Sequence, residues 1–181
     1  MKLKEEDVWG AKMIVGSANR LRMILDGYDQ DVKIYMTSGG FDPVHVGHIR
    51  CIKQTALMSK DPKYVPYSTR GLVVVVVNSD LFLERKKGYA FMSLEDRMEI
   101  IDSIKGVDFV VPWPCYENQT VCGAIEVIKP NYFTKGGDRF DAETIPEWDI
   151  CQEVGCKIIT GVGGDKIRSS SDLVSRSKDL K

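Results

Sequence analysis

The sequence predicts a doubly wound α/β domain, and three observations carry that expectation. Strand-like and helix-like segments alternate along the chain. The segment "LVVVVV" at 72–77 is apolar at every position, as a strand buried on both faces of a parallel sheet must be. The third observation is one of position. The segments "TSGGFDPVHVGH", "NSDLFLERKKG" and "KGGD" each follow a strand, and in such sheets ligands bind beyond the carboxyl ends of the strands.

The elements follow in order. Apolar residues at Ala11, Ile14, Val15, Ala18, Leu21, Ile24 and Leu25 form a helical stripe that stops near Gly27, so residues 1–30 read as an N-terminal helix packed on the domain. "VKIYMT" (32–37) is a β-rich run ending at Gly39-Gly40, and a helix runs from about Val46 to Ser59. Pro62, Pro66 and Gly71 make the 59–71 segment a loop, long enough to line an acceptor pocket or an oligomer contact. After 72–77, a helix starts at Ser93, with Asp96 three residues on in a near capping box. Strands at 107–112, 131–135 and 156–160 alternate with helices at 121–128, 144–154 and 170–177. The expected architecture is therefore Rossmann-like: a mostly parallel five-stranded sheet with flanking helices, in one domain spanning 1–181.

Composition narrows the function. The 181 residues are 43% hydrophobic and 28% charged, with a formal net charge of −1, so no global field draws the chain to nucleic acid or membrane. No apolar run approaches the roughly 20 residues of a membrane helix, and "MKLKEEDVWG" lacks a signal-peptide core; the expectation is cytoplasmic. The five cysteines include no CxxC pair and read as free thiols, which sets aside zinc through Cys151, Cys156 and the histidines.

His45 and His48 are the only histidines, three apart with Gly47 between them, at the entry to a helix. Gly39 and Gly40 let the chain turn off the strand and bring backbone N–H groups near a ligand. A helix N-terminus directs free N–H groups and the positive end of its dipole at the same space. Two imidazoles there make an anion site suited to phosphate. No G-x-S-x-G elbow supports a serine nucleophile, and "GVGG" at 161–164 fails the dinucleotide fingerprint at Lys166.

"GGFDPVHVGH" resembles the G-x-F-D-x-x-H-x-G-H signature of the nucleotidyltransferase superfamily that includes cytidylyltransferases and small adenylyltransferases. Further on, "NSD" (78–80), "KKG" (86–88), "LEDR" (94–97), "VDFVVP", "IKPNYFTKGGD" (128–138) and "SSS" (169–171) are similar to the ADP-heptose synthase adenylyltransferase branch, in the same order. The resemblance implies transfer of a nucleotidyl group from ATP, or CTP, to a sugar or polyol phosphate, with release of pyrophosphate. It implies Mg²⁺ carried by the triphosphate, and a homodimer or higher homo-oligomer. It assigns catalysis to His45, His48 and Lys87. Nucleotide binding falls to Gly40, Phe41, Gly47, Lys86, Arg97, Gly137, Asp138, Ser169, Ser170 and Ser171. Asp42 either holds the turn or helps organise Mg²⁺, and Arg97 either touches phosphate or locks its helix by ion pairs. "ERKKG" also reads as a solvated charge run, and "KGGD" as a capped glycine turn.

Two departures keep alternatives open. Gly164 stands where glycerol-phosphate cytidylyltransferases carry an arginine, with Lys166 or Arg168 nearby to serve instead. Asp42-Pro43 and "SSS" are closer to nicotinamide-mononucleotide adenylyltransferases, so nicotinamide mononucleotide or pantetheine phosphate is the neighbouring acceptor class. A nucleotide-binding regulator without turnover is the alternative of another kind.

Overall fold

The computed structural model describes residues 13–28, 31–65, 69–114, 120–137, 144–165 and 168–178. In chain order the elements are β1 (Met13–Ile14), α1 (Ala18–Asp26), β2 (Val32–Gly39), α2 (Val46–Met58), β3 (Arg70–Asn78), α3 (Asp80–Lys87) and α4 (Leu94–Asp102). Then come β4 (Phe109–Trp113), α5 (Cys122–Ile128), β5 (Tyr132–Thr134), α6 (Trp148–Glu153), β6 (Lys157–Ile159) and α7 (Ser170–Lys178).

The strands form one sheet in the order β1-β4-β3-β2-β5-β6, and every neighbouring pair is parallel. From β2 the chain steps outward through β3 to β4, then returns across β2 to β5 and β6. The reversal opens a crevice beyond the carboxyl ends of β2 and β5, the place where such sheets bind ligands.

The valine run explains the layering. Successive side chains of a strand point to opposite faces. Leu72, Val74 and Val76 join Ile34, Met36 and Phe133 beneath α1, α5 and α6, while Val73, Val75 and Val77 join Tyr35 and Val110 beneath α2 and α4. Leu72 through Val77 are all fully buried, so both faces of β3 are core. Cys151 and Cys156 are buried on the first of these faces.

Two features differ from the sequence expectation. The sheet has six strands, not five, because Met13–Ile14 pairs with Phe109–Val110 at its edge. The apolar spacing that reads as one long helical stripe is shared between this strand and a shorter helix; Ala11 lies outside the described residues. Ser17 divides them, in extended backbone, with its hydroxyl accepting from Arg20 N to cap α1. The second difference is α3, a helix where the sequence reading offers only a solvated charge run and no element. Ser79 caps this helix, Arg85, Lys86 and Lys87 fill its last turn, and Gly88 ends it at φ 85°. In the 59–71 loop, Tyr64 and Val65 pack on the α2 face, and no described residue of 60–71 lines the crevice.

Candidate active site

A cavity of about 620 Å³ occupies the crevice. Its floor is the turn leaving β2. Gly40 is hemmed in there, because a Cβ would meet Leu83 Cδ2 of α3 at 2.6 Å. Phe41 follows at φ 53°, a left-handed conformation that side chains disfavour and that surrounding structure must enforce. Asp42 supplies much of that structure. Its carboxylate is almost completely buried and accepts from Phe91 N at 2.8 Å, Met92 N at 2.7 Å and Lys87 Nζ at 2.7 Å. Lys87 also donates to the Asp42 carbonyl at 2.8 Å. Burial alone raises this carboxyl's pKa, but the bonds from Lys87, Phe91 and Met92 outweigh it and hold it below its ordinary value. Asp42 is thus a strap between the turn and the segment after α3.

The two histidines interlock at the head of α2. His45 is the N-cap in extended backbone; its Nδ1 accepts from Gly47 N at 3.1 Å, and His48 Nδ1 accepts from His45 N at 3.3 Å. This is a capping box built from imidazoles in place of hydroxyl and carboxylate. It fixes the tautomers: a nitrogen that accepts carries no proton, so each neutral ring holds its hydrogen on Nε2. The rings stack at 3.7 Å between centroids with 21° between planes, and Phe41 meets His48 edge-on at 5.1 Å. Gly47 leaves room for this stack, since a Cβ would meet His45 Cε1 at 3.0 Å. Both rings line the cavity as neutral N–H donors.

Burial, followed by the charge of Arg168, lowers the His45 pKa; burial, followed by His45, pushes His48 down to about 4. Between its ordinary 6.5 and about 4, the unfolded chain binds a proton at His48 that the folded chain refuses. Stability therefore falls as pH falls through that window and gains no further slope from this group below it. Urea unfolding at pH 7, 6 and 5 should show wild type losing stability that His48→Gln does not lose, about 3 kcal/mol across the full window. Equal slopes in the two proteins would mean that His48 is not held neutral.

The other expected residues divide. Lys86, Gly137, Ser169, Ser170 and Ser171 line the cavity with Gly40, Phe41, Gly47 and Lys87. At the head of α7, Ser169 Oγ accepts from Asp172 N at 3.2 Å, and Ser170 Oγ donates to the Pro43 carbonyl at 3.0 Å. Asp138 lies outside the described residues. Arg97 stands behind the site, off the lining and fully buried. It donates to Gly40 O at 2.6 Å, Asn78 O at 2.7 Å and Met92 O at 3.2 Å, and pairs with Asp80. The contacts that the resemblance offered it with phosphate are replaced by contacts that hold the ends of β2 and β3. For Asp42 the structure supports the first of the two expected roles, holding the turn, through its bonds with Lys87, Phe91 and Met92. Among the described residues no three His, Cys, Asp or Glu side chains cluster for a metal.

Several lining residues escape a sequence reading. Thr37 Oγ1 donates to Thr134 O at 3.0 Å and Thr55 Oγ1 lies 2.8 Å from Thr134 Oγ1, tying β2, α2 and β5 together. Lys135 pairs with Glu147 at 3.0 Å, with both side chains largely buried. Asn78 and Cys51 also line the cavity, as does Arg168, which the sequence offers in place of the missing arginine. Burial raises the Cys51 pKa, which leaves it a neutral thiol. "KGGD" and "NSD" flagged the neighbourhoods of Lys135 and Asn78, but nothing local flagged Glu147.

The family model described as "Cytidylyltransferase-like" matches residues 36–165. Bifunctional protein HldE of Hahella chejuensis is 32% identical over 128 residues, covering 70% of this chain and 24% of that protein. The HldE protein of Alcanivorax borkumensis is 29% identical over 168 residues, covering 91% of this chain and 30% of that protein. The chain thus spans 24% to 30% of the length of these relatives. Among solved structures, a lipopolysaccharide core biosynthesis protein from Thermoplasma volcanium superposes with a TM-score of 0.56 at 22% identity, over 71% of this chain and 94% of that one. Pantoate-beta-alanine ligase from Francisella tularensis, complexed with beta-gamma ATP and beta-alanine, gives 0.58 at 16% identity, over 94% of this chain and 74% of that one. These two likenesses share the fold.

Proposed function

This chain belongs to the cytidylyltransferase-like family, and from that premise we propose that it transfers a nucleoside monophosphate, from ATP in preference to CTP, to a sugar or polyol phosphate. The observation that carries the reading is the imidazole capping box. It presents two neutral Nε2–H donors, beside the N-termini of α2 and α7, to a cavity at the topological switch point. The motif likeness to the ADP-heptose synthase branch supports a sugar phosphate as acceptor.

In the reaction, an oxygen of the acceptor phosphate attacks the α-phosphorus in line, one P–O bond forms, and the bond to the leaving pyrophosphate breaks. No covalent enzyme intermediate forms, so the chain contributes position and charge stabilisation. His45 and His48 donate to the triphosphate without changing protonation state. The backbone N–H groups opening α7 at Ser169–Ser171 and the cations Lys86 and Arg168 take the outer phosphates. Lys87, with two of its protons on Asp42 and its ammonium over the Tyr89 ring, brings its positive charge to the cavity wall. Mg²⁺ arrives as part of the nucleotide substrate and neutralises its charge.

Pyrophosphate release measured with Mg²⁺ and either ATP or CTP, against sugar, polyol and vitamin phosphates, tests the reading. Turnover with one nucleotide and a sugar or polyol phosphate is expected. Turnover only with nicotinamide mononucleotide or pantetheine phosphate would overturn the acceptor class. Tight nucleotide binding with no release across the panel would overturn the transferase.

A further inference from the structure

The turn from β2 into α2 gives its carbonyls to three different elements. Gly40 O accepts from Arg97 of α4, Asp42 O from Lys87 of α3, and Pro43 O from Ser170 Oγ of α7 at 3.0 Å. The third bond holds a helix with little else to hold it. Of the side chains of α7 that the structure describes, Val174 alone is buried. It lies four residues after Ser170, so the two share the inner face of the helix. Upstream, Gly163 is pinned to α2: its N–H meets Gln54 Oε1 at 2.6 Å, and a Cβ would strike Cys51 N at 2.7 Å. Among the described residues, the next hydrogen bond from this stretch to the body is that of Ser170. A helix docked through one apolar side chain gains little from burial, so one hydrogen bond counts.

The hydroxyl of Ser170 has one proton, and that proton is on the Pro43 carbonyl. A phosphate oxygen is an acceptor, so this hydroxyl serves the turn or a phosphate, not both. The resemblance gave it the phosphate; the structure gives it the turn. What the bond fixes is the head of α7, where Arg168 and the serines line the cavity with His45. Burial, and after it the charge of Arg168, lowers the His45 pKa, so that guanidinium acts on the ring. The other titratable group against His45 is His48, stacked on it and neutral down to about 4.

We propose that Ser170 is a positioning residue and not a phosphate ligand: its hydroxyl latches α7 to the histidine turn, setting Arg168 and the helix head against His45. This rests on the reading of that head as the seat of the outer phosphates, and changes how Ser170 serves it.

The nucleotide-free protein tests it first. The chain's two histidines give two imidazole signals in a proton NMR titration. Arg168→Met removes a nearby positive charge and should raise the His45 midpoint by about 0.3 pH units. Ser170→Ala, which keeps that charge but frees the helix head, should move it the same way. Ser170→Thr, which keeps the hydroxyl, should match wild type. Calorimetry with Mg²⁺ and ATP follows. Ser170→Ala should weaken binding by about 2- to 10-fold, the worth of one hydrogen bond, and Ser170→Thr should restore it.

A His45 midpoint unmoved by Ser170→Ala would overturn the latch; one unmoved by Arg168→Met would overturn the placement of Arg168. Weaker ATP binding with an unmoved midpoint would return Ser170 to the phosphates. A moved midpoint with unchanged ATP affinity would overturn the latch's part in binding. Should wild type bind no ATP, the nucleotide reading fails separately. The titration then still decides whether Ser170 sets Arg168 beside His45.

Discussion

Replacing His45 by alanine is expected to lower turnover by about 10²- to 10³-fold, the usual cost of losing one preorganised donor to a developing anion. The same change should also cost the fold about 1 kcal/mol, since His45 is the N-cap of α2 and Gly47 N loses its acceptor. In a chain of this size that lowers the melting temperature by roughly 2–4 °C. The two losses are separable because they use different nitrogens. Nδ1 serves the helix and Nε2 serves the cavity, and asparagine replaces only the first. His45→Asn should therefore regain the melting temperature while remaining as slow as His45→Ala. Thermal melts and pyrophosphate-release rates on the three proteins check this. Recovery of turnover in His45→Asn would show that the helix cap, and not an imidazole donor, is what activity requires.

That division of labour was half legible in the sequence. Two histidines bracketing Gly47 after a strand announce an anion site, and the glycine's spacing is explained by the ring it accommodates. The mutual capping is not legible, because imidazole is an unusual N-cap and the bonds depend on ring rotamers set by packing against Phe41. The parallel sheet follows from the alternation of elements, and the apolar run at 72–77 marks a strand buried on both faces. Edge strand β1 was lost because two apolar residues beside a helical stripe satisfy either period, and only pairing with Phe109 and Val110 decides. Helix α3 is bracketed by Ser79 and Gly88, but its charged second half shows no apolar periodicity to mark the helix between those caps. Glu147 belongs to a different class, because its place beside the cavity depends on a pairing with Lys135 twelve residues earlier that no local motif announces.

Arg97 carries the largest expected effect on stability. Arg97→Met should destabilise the protein by about 3–5 kcal/mol, the range for breaking a buried charge network from one side. Its guanidinium is fully buried and reaches four groups at once: the carbonyls of Gly40, Asn78 and Met92, and the carboxylate of Asp80. Truncation orphans those carbonyls inside the protein and leaves Asp80 without its cation. Lysine is no substitute, because a single ammonium cannot match a planar fork set between the ends of β2 and β3. Against a total stability of about 5–15 kcal/mol, such a loss leaves a marginal fold. Urea unfolding of the protein without nucleotide is the measurement, since a positioning residue is missed whether or not a ligand is present. A phosphate-binding arginine would behave oppositely: near-normal unfolding, but weaker nucleotide binding with a reduced dependence on salt. That pattern would return Arg97 to the substrate. The geometry predicts the first, because the side chain that holds Gly40 and Asn78 in place is the one that sets where the turn and its neighbouring strand present their atoms to the cavity.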